Sequence, residues 1–150
     1  MGLKDTLRTD MTAALKGKEE LRLSTLRMVL SAISTEEVAG KSARELSDDE
    51  VLKVVAREAK KRREAAEAFE AAGRAELAER ERAEGEVLAG YLPAQLSDDE
   101  LTALVLAAVE SSGESGPKAI GAVMKIVTPQ VAGRAEGGRV AAEVRRQLGS

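Results

Sequence analysis

Cations spaced along the end of the chain are the pattern whose chemistry is most legible from residue type. From residue 118 onward, Lys118, Lys125, Arg134, Arg139, Arg145 and Arg146 stand against only Glu136 and Glu143, an excess of four positive charges. Residues 97–117 hold five acidic side chains and no basic one, so a whole-chain charge of −3 conceals a basic end. Lysine and arginine so arranged suit the phosphates of RNA, where contact is electrostatic and weakens with salt. At helical spacing Lys118 and Lys125 fall opposite Ile120, Val123 and Val127. Arg139 and Arg146 likewise fall away from Val140, Val144 and Leu148. Lys118, Lys125, Arg134, Arg139 and Arg146 are therefore candidate RNA contacts; solvated surface charge is the competing account.

Other chemistries find less support. Asp48-Asp49-Glu50 and Asp98-Asp99-Glu100 could be imagined as catalytic carboxylates or a Mg²⁺ site. Each, however, follows a serine in a repeated Leu-Ser-Asp-Asp-Glu string, at 46–50 and 96–100. Serine with glutamate three residues later is a helix-capping box, and acidic residues suit the first turn of a helix dipole. Gly40-Lys41-Ser42 invites a phosphate loop, but the motif needs glycine five residues before Gly40, where Thr35 stands. The chain has no His and no Cys. That removes the commonest general base, the commonest metal ligands, thiolate nucleophiles and disulfides. No catalytic residue, metal site or cofactor is predicted. Asp, Glu, Lys, Ser, Thr and one Tyr leave enzyme activity an open question. With Phe69 and Tyr91 the only aromatics, base stacking is not available as a main mode of RNA binding.

The elements that must position these groups are all helical. At 150 residues the chain makes one domain or two small ones. Leu3, Leu7, Met11, Ala14 and Leu15 share a helical face ending near Gly17; Leu23, Leu26, Val29, Leu30 and Ile33 share a second, closing before Gly40. A third helix starts after Ser47 and runs to about residue 72, with a predicted core stripe of Leu52, Val55, Ala59, Ala66 and Phe69. A fourth spans about 75–89. Between residues 57 and 86 opposite charges recur at i,i+4, as in Lys60/Glu64, Arg63/Glu67, Glu76/Arg80 and Arg82/Glu86. These predict a long hairpin with a charged outer surface, each pair contributing ~0.2–0.5 kcal/mol.

Pro93 interrupts the helices, with Tyr91 as an anchor for the crossing segment. Three helices follow, carrying Leu101/Leu104/Val105/Ala108, then Ile120/Val123/Met124/Val127, then Val140/Ala141/Val144/Leu148. Pro117 suits the first turn of the middle one. Met124 is predicted inside the small core and Lys125 outside it. Gly121 costs a helix ~1 kcal/mol relative to Ala, which suggests close approach of a helix or a ligand backbone. Gly133 and Gly137-Gly138 permit positive φ in the last turn. The expected architecture is all-α: a four-helix amino-terminal domain at 1–92 and a three-helix carboxy-terminal domain at 97–148.

Two stretches carry a family resemblance. One is Tyr91-Leu92-Pro93-x-Gln95-Leu96-Ser97; the other is Ile120-Gly-Ala-Val123-Met124-Lys125, Pro129, Gly133-Arg134-Ala135-Glu136-Gly137, Val140 and Leu148. Together they resemble the GatB/YqeY family, specifically its small free-standing YqeY-like proteins, over essentially the whole chain. Glu136 departs from the aspartate usual in the Gly-Lys/Arg-Ala-Asp-Gly turn. The carboxy-terminal part is similar to the tail domain of the glutamyl-tRNA(Gln)/aspartyl-tRNA(Asn) amidotransferase B subunit, a module associated with binding the body of tRNA. The resemblance implies a connection with glutamine-fed carbon–nitrogen ligation, but nothing here corresponds to that subunit's large catalytic domain. The expectation is a non-catalytic accessory protein that binds tRNA, with an amidotransferase or aminoacyl-tRNA synthetase as a possible partner. The alternative is a helical protein–protein adaptor docking through the charged hairpin. No apolar run approaches the ~20 residues of a membrane span, and the amino terminus is too polar for a signal peptide. A soluble, cytoplasmic protein is expected, with neither membrane nor DNA as partner.

Overall fold

A computed structural model describes residues 2–149. Among them every regular element is helical: α1 (Leu3–Lys16), α2 (Glu20–Glu37), α3 (Asp48–Ala71), α4 (Ala75–Ala89), α5 (Asp98–Ser112), α6 (Ile120–Val131) and α7 (Gly137–Leu148). A single 3₁₀ turn, Pro117–Ala119, leads into α6 with the proline at its start. The helices divide into two compact units, Met1–Leu92 and Pro93–Ser150.

In the first unit, α1 to α4 gather around Leu7, Leu26, Val29, Ile33, Leu46, Val51, Val54, Val55 and Leu88. The capping box at α3 forms as its sequence dictates: the Glu50 N–H donates to Ser47 Oγ at 3.2 Å, and the Ser47 N–H donates to Glu50 Oε1 at 3.1 Å. Arg44 Nη1 also reaches Glu50 Oε1 at 2.9 Å. That ion pair first, and the Ser47 amide next, hold the Glu50 carboxyl at about 2. Asp48 serves another helix altogether, accepting the Leu3 N–H at 3.0 Å and so capping α1 from outside.

The core face of α3 is rotated from the stripe its spacing predicts. Val51, Val54, Val55, Glu58 and Ala66 are buried, whereas Leu52, Ala59 and Phe69 are only half-buried. Glu58 sits in that face with its carboxylate 3.1 Å from Lys61 Nζ, a burial that its charge conceals from a hydrophobic count. Past Glu58 the α3/α4 hairpin is closed by Ala66 and Ala78, both buried, and by ion pairs. Lys60 meets Glu64 at 3.9 Å along one helix. Other pairs cross the hairpin: Arg62 lies 3.3 Å from Glu81 and 3.6 Å from Glu84, and Arg82 pairs with Glu70 instead of Glu86. Glu84 is shared between the two kinds of pairing, since Arg80, one turn back along α4, also reaches it at 3.2 Å.

In the second unit, α5, α6 and α7 enclose Leu101, Val105, Ala108, Val123, Val127, Val131, Val140, Val144 and Leu148, with Leu96 and Ala119 at the edges. The α5 capping box repeats that of α3, with Ser97 Oγ and the Glu100 N–H at 3.1 Å and the reciprocal bond at 3.0 Å. Met124 is partly buried against this core, which Val123 and Val127 fill instead, and Lys125 is exposed.

Candidate functional site

The five candidate cations fall into two groups by what they already hold. Lys118, on the 3₁₀ turn, and Lys125, two helical turns further along α6, are exposed and make no ion pair or side-chain hydrogen bond with a described residue. Gly121 lies between them, also exposed. A Cβ built there meets no atom within 4 Å, so no neighbouring helix of this chain requires the glycine. The spacing 118, 121, 125 puts all three along one side of the helix.

Arg134, Arg139 and Arg146 have partners within the second unit. Arg146 grips Glu143 with Nε at 2.9 Å and Nη2 at 2.6 Å, which holds the Glu143 carboxyl below the usual carboxylate range. Arg134 and Arg139 instead fasten the non-helical segment at 93–97. Arg134 Nε donates to the Ala94 carbonyl at 3.2 Å, and the Arg134 carbonyl accepts from the Leu96 N–H at 2.9 Å. Arg139 Nη2 donates to the Leu96 carbonyl at 2.8 Å and to Asp98 Oδ1 at 2.9 Å. Gln95 Nε2 bridges the Pro93 and Gly133 carbonyls at 3.0 and 2.9 Å. Gly133 has φ +73°, and a Cβ there would stand 3.6 Å from the Pro93 ring. Gly137, exposed, opens α7 with helical geometry; positive φ falls to Gly133 alone in that turn. The two motif stretches thus fold onto each other. The unit as a whole carries six cations against seven carboxylates over residues 93–150, so its basic character is local.

Tyr91 ends the first unit in a polar cluster that its sequence neighbourhood does not reveal. Its hydroxyl donates to Asp10 Oδ2 at 2.6 Å and accepts from Arg22 Nη2 at 2.9 Å, while the Arg22 guanidinium lies 5.9 Å from the ring centroid. Burial first, and the Asp10 hydrogen bond second, push the phenol up to about 12. It stays protonated and acts as a donor. Among the described residues no three His, Cys, Asp or Glu side chains converge as metal ligands. Shallow surface depressions lie at the hairpin tip, Gly73–Leu77, and over Thr9, Thr12, Ala13 and Lys16.

Comparison with known proteins now settles the family. The model of the YqeY-like proteins matches residues 4–148. The chain belongs to the YqeY-like family. An uncharacterized protein of Schizosaccharomyces pombe is 34% identical over 97 residues, 64% of this chain and 76% of its own length. A protein of Pyrenophora tritici-repentis named "Altered inheritance of mitochondria protein 41, mitochondrial" is 31% identical over 133 residues, 86% of this chain and 71% of its own. This last match corrects the expectation of a cytoplasmic protein: a relative aligned along most of the chain is mitochondrial by name, and amino-terminal polarity does not fix a compartment. No described helix is long and apolar enough to cross a membrane. Membership links the chain to the GatB/YqeY group of amidotransferase-related proteins at the level of the family.

Proposed function

We propose that this YqeY-like protein is a non-catalytic accessory of tRNA-dependent amidotransferase chemistry, contacting tRNA through its second unit. The observation that carries the reading is Gly121, exposed in the first turn of α6 with open space around it and flanked by Lys118 and Lys125. A solvent-facing glycine in that turn has poorer helix propensity than alanine, and no neighbouring described atom requires it. A polyanion backbone lying against a smooth cationic stripe supplies a reason for it. With so few aromatics, contact is through phosphate, ribose and shape. An amidotransferase or an aminoacyl-tRNA synthetase is the protein partner this chemistry suggests.

Labelled tRNA titrated against the full chain at two salt concentrations tests the proposal. Micromolar binding that weakens with salt is expected, with the slope of a few phosphate contacts. Lys118→Glu with Lys125→Glu abolishes it without unfolding, because neither side chain holds anything in the fold. No binding at low salt, or equal affinity of the double variant, transfers the case to the protein–protein adaptor.

A further inference from the structure

We infer, on the RNA reading above, that Asp98 and the carbonyls of Ala94 and Leu96 are positioning groups that fix Arg134 and Arg139 as a paired contact for the RNA phosphodiester backbone. The fold consumes little of each guanidinium. Arginine offers five N–H donors in a rigid planar fork. Arg134 spends only Nε, on the Ala94 carbonyl, and Arg139 spends only Nη2, on the Leu96 carbonyl and Asp98. Nη1 and Nη2 of Arg134, and Nε and Nη1 of Arg139, take no part in the bonds that fasten residues 93–98, although the Glu100 carboxylate feels the Arg134 charge. None of them is among the enclosed unpaired side-chain atoms. Each guanidinium is thus held by one side and keeps another for an anion.

The two anchor carbonyls are only two residues apart, on a segment that is itself held by the Leu96 N–H to the Arg134 carbonyl and by Gln95. Both arginines are therefore referenced to one short piece of backbone, and their separation does not depend on flexible side-chain torsions. Orientation secured before binding does not have to be paid for during it. Lysine could not take these places: a single ammonium cannot hold a carbonyl on one planar edge and present a second edge to phosphate.

Charge alone predicts the opposite sign. Asp98 is a carboxylate beside a proposed phosphate contact, and removing its charge should strengthen binding of any polyanion. If Asp98 positions Arg139, removing it weakens binding in spite of the charge gained. Asp99 is the matched control, one residue along the same helix turn and without a bond to Arg139.

Labelled tRNA is titrated at low salt against the full-length wild type, Asp98→Ala, Asp99→Ala, Arg139→Lys and the Lys118→Glu/Lys125→Glu double variant, with a melting curve for each. Asp98→Ala is expected to weaken binding about two- to fivefold, the range an exposed ion pair commands. Asp99→Ala leaves it unchanged or tighter, and Arg139→Lys loses affinity although its charge is kept. Equal tightening by Asp98→Ala and Asp99→Ala, or full affinity in Arg139→Lys, overturns the positioning role while the RNA reading stands on the double variant. Absence of tRNA binding by the wild type overturns both. Should Asp98→Ala melt lower than Asp99→Ala, the Arg139→Lys comparison decides.

Discussion

Leu96, which precedes α5, and Arg134, which follows α6, hold each other: the Leu96 N–H donates to the Arg134 carbonyl at 2.9 Å. One residue before Leu96, Gln95 reaches the Gly133 carbonyl; one before that, Ala94 receives the Arg134 guanidinium. A segment that reads as a linker is therefore built into the unit, with the Leu96 side chain 4% exposed. The consequences of that arrangement are measurable.

Gly133 is the residue on which this packing turns. Its φ of +73° costs an L-residue ~1–2 kcal/mol, and a Cβ at 3.6 Å from the Pro93 ring leaves room for alanine alone. Gly133→Ala is expected to lower the unfolding free energy by that amount, and Gly133→Val by more. Denaturant titration measures both; an unchanged midpoint for Val contradicts the geometry.

Gly121 should behave in the opposite way. Its φ is not in the left-handed region and the space around it is open, so Gly121→Ala is expected to stabilise the protein by ~0.5–1 kcal/mol. Gly121→Met, a good helix former with a long side chain, should keep that gain yet weaken tRNA binding. Thermal melts and the tRNA titration separate the two effects.

Acid sensitivity should carry the mark of Glu50. Its carboxyl is held at about 2 in the folded chain, below the ordinary value of 4.5, first by Arg44. A depressed folded value means the stabilisation is complete above the ordinary value and is lost as pH falls toward the folded one. Glu100 and Glu143 are shifted in the same direction. Arg44→Met should therefore raise the pH of acid unfolding, and Glu50→Gln should flatten the stability profile in that window. Circular dichroism along a pH series is the check.

Tyr91 gives an unusually clean reading because the chain has one tyrosine and no tryptophan. Ultraviolet titration should show the phenolate appearing near 12, two decades above a free phenol at 10. The shift is upward, so the stabilisation is present at lower pH and disappears as pH rises through the folded value. Asp10→Asn should bring the transition down, although burial keeps part of the shift. Tyr91→Phe should cost ~1 kcal/mol, the worth of one hydrogen-bonded network member.

What the sequence disclosed divides along the range of the interactions. The capping boxes at Ser47 and Ser97 are legible because each closes over three residues. The phase of α6 is legible because Val123 and Val127 repeat on one face, although Met124 lies shallower than its spacing predicts. The face of α3 is legible only in Val55 and Ala66, because Glu58, a carboxylate, occupies a buried position among the valines. The partners of Tyr91 were invisible: Arg22 and Asp10 lie 69 and 81 residues away, on helices crowded with other charges. The anchoring of Arg134 and Arg139 was hidden for the same reason, at separations of 40 and 43 residues.

The hairpin of α3 and α4 has one more consequence. Its inner end rests on Val51, Val54, Val55 and Leu88, whereas beyond Glu58 only Ala66 and Ala78 are buried between its arms. Two buried methyl groups, the half-buried Phe69 and Leu77 and a set of ion pairs protect backbone amides less than a core of fully buried branched side chains does. The outer arms should therefore open as a sub-global unit, below the cost of full unfolding. Deuterium would enter around Gly73 long before it reached Val54, leaving the rest of the unit folded around Leu26 and Ile33.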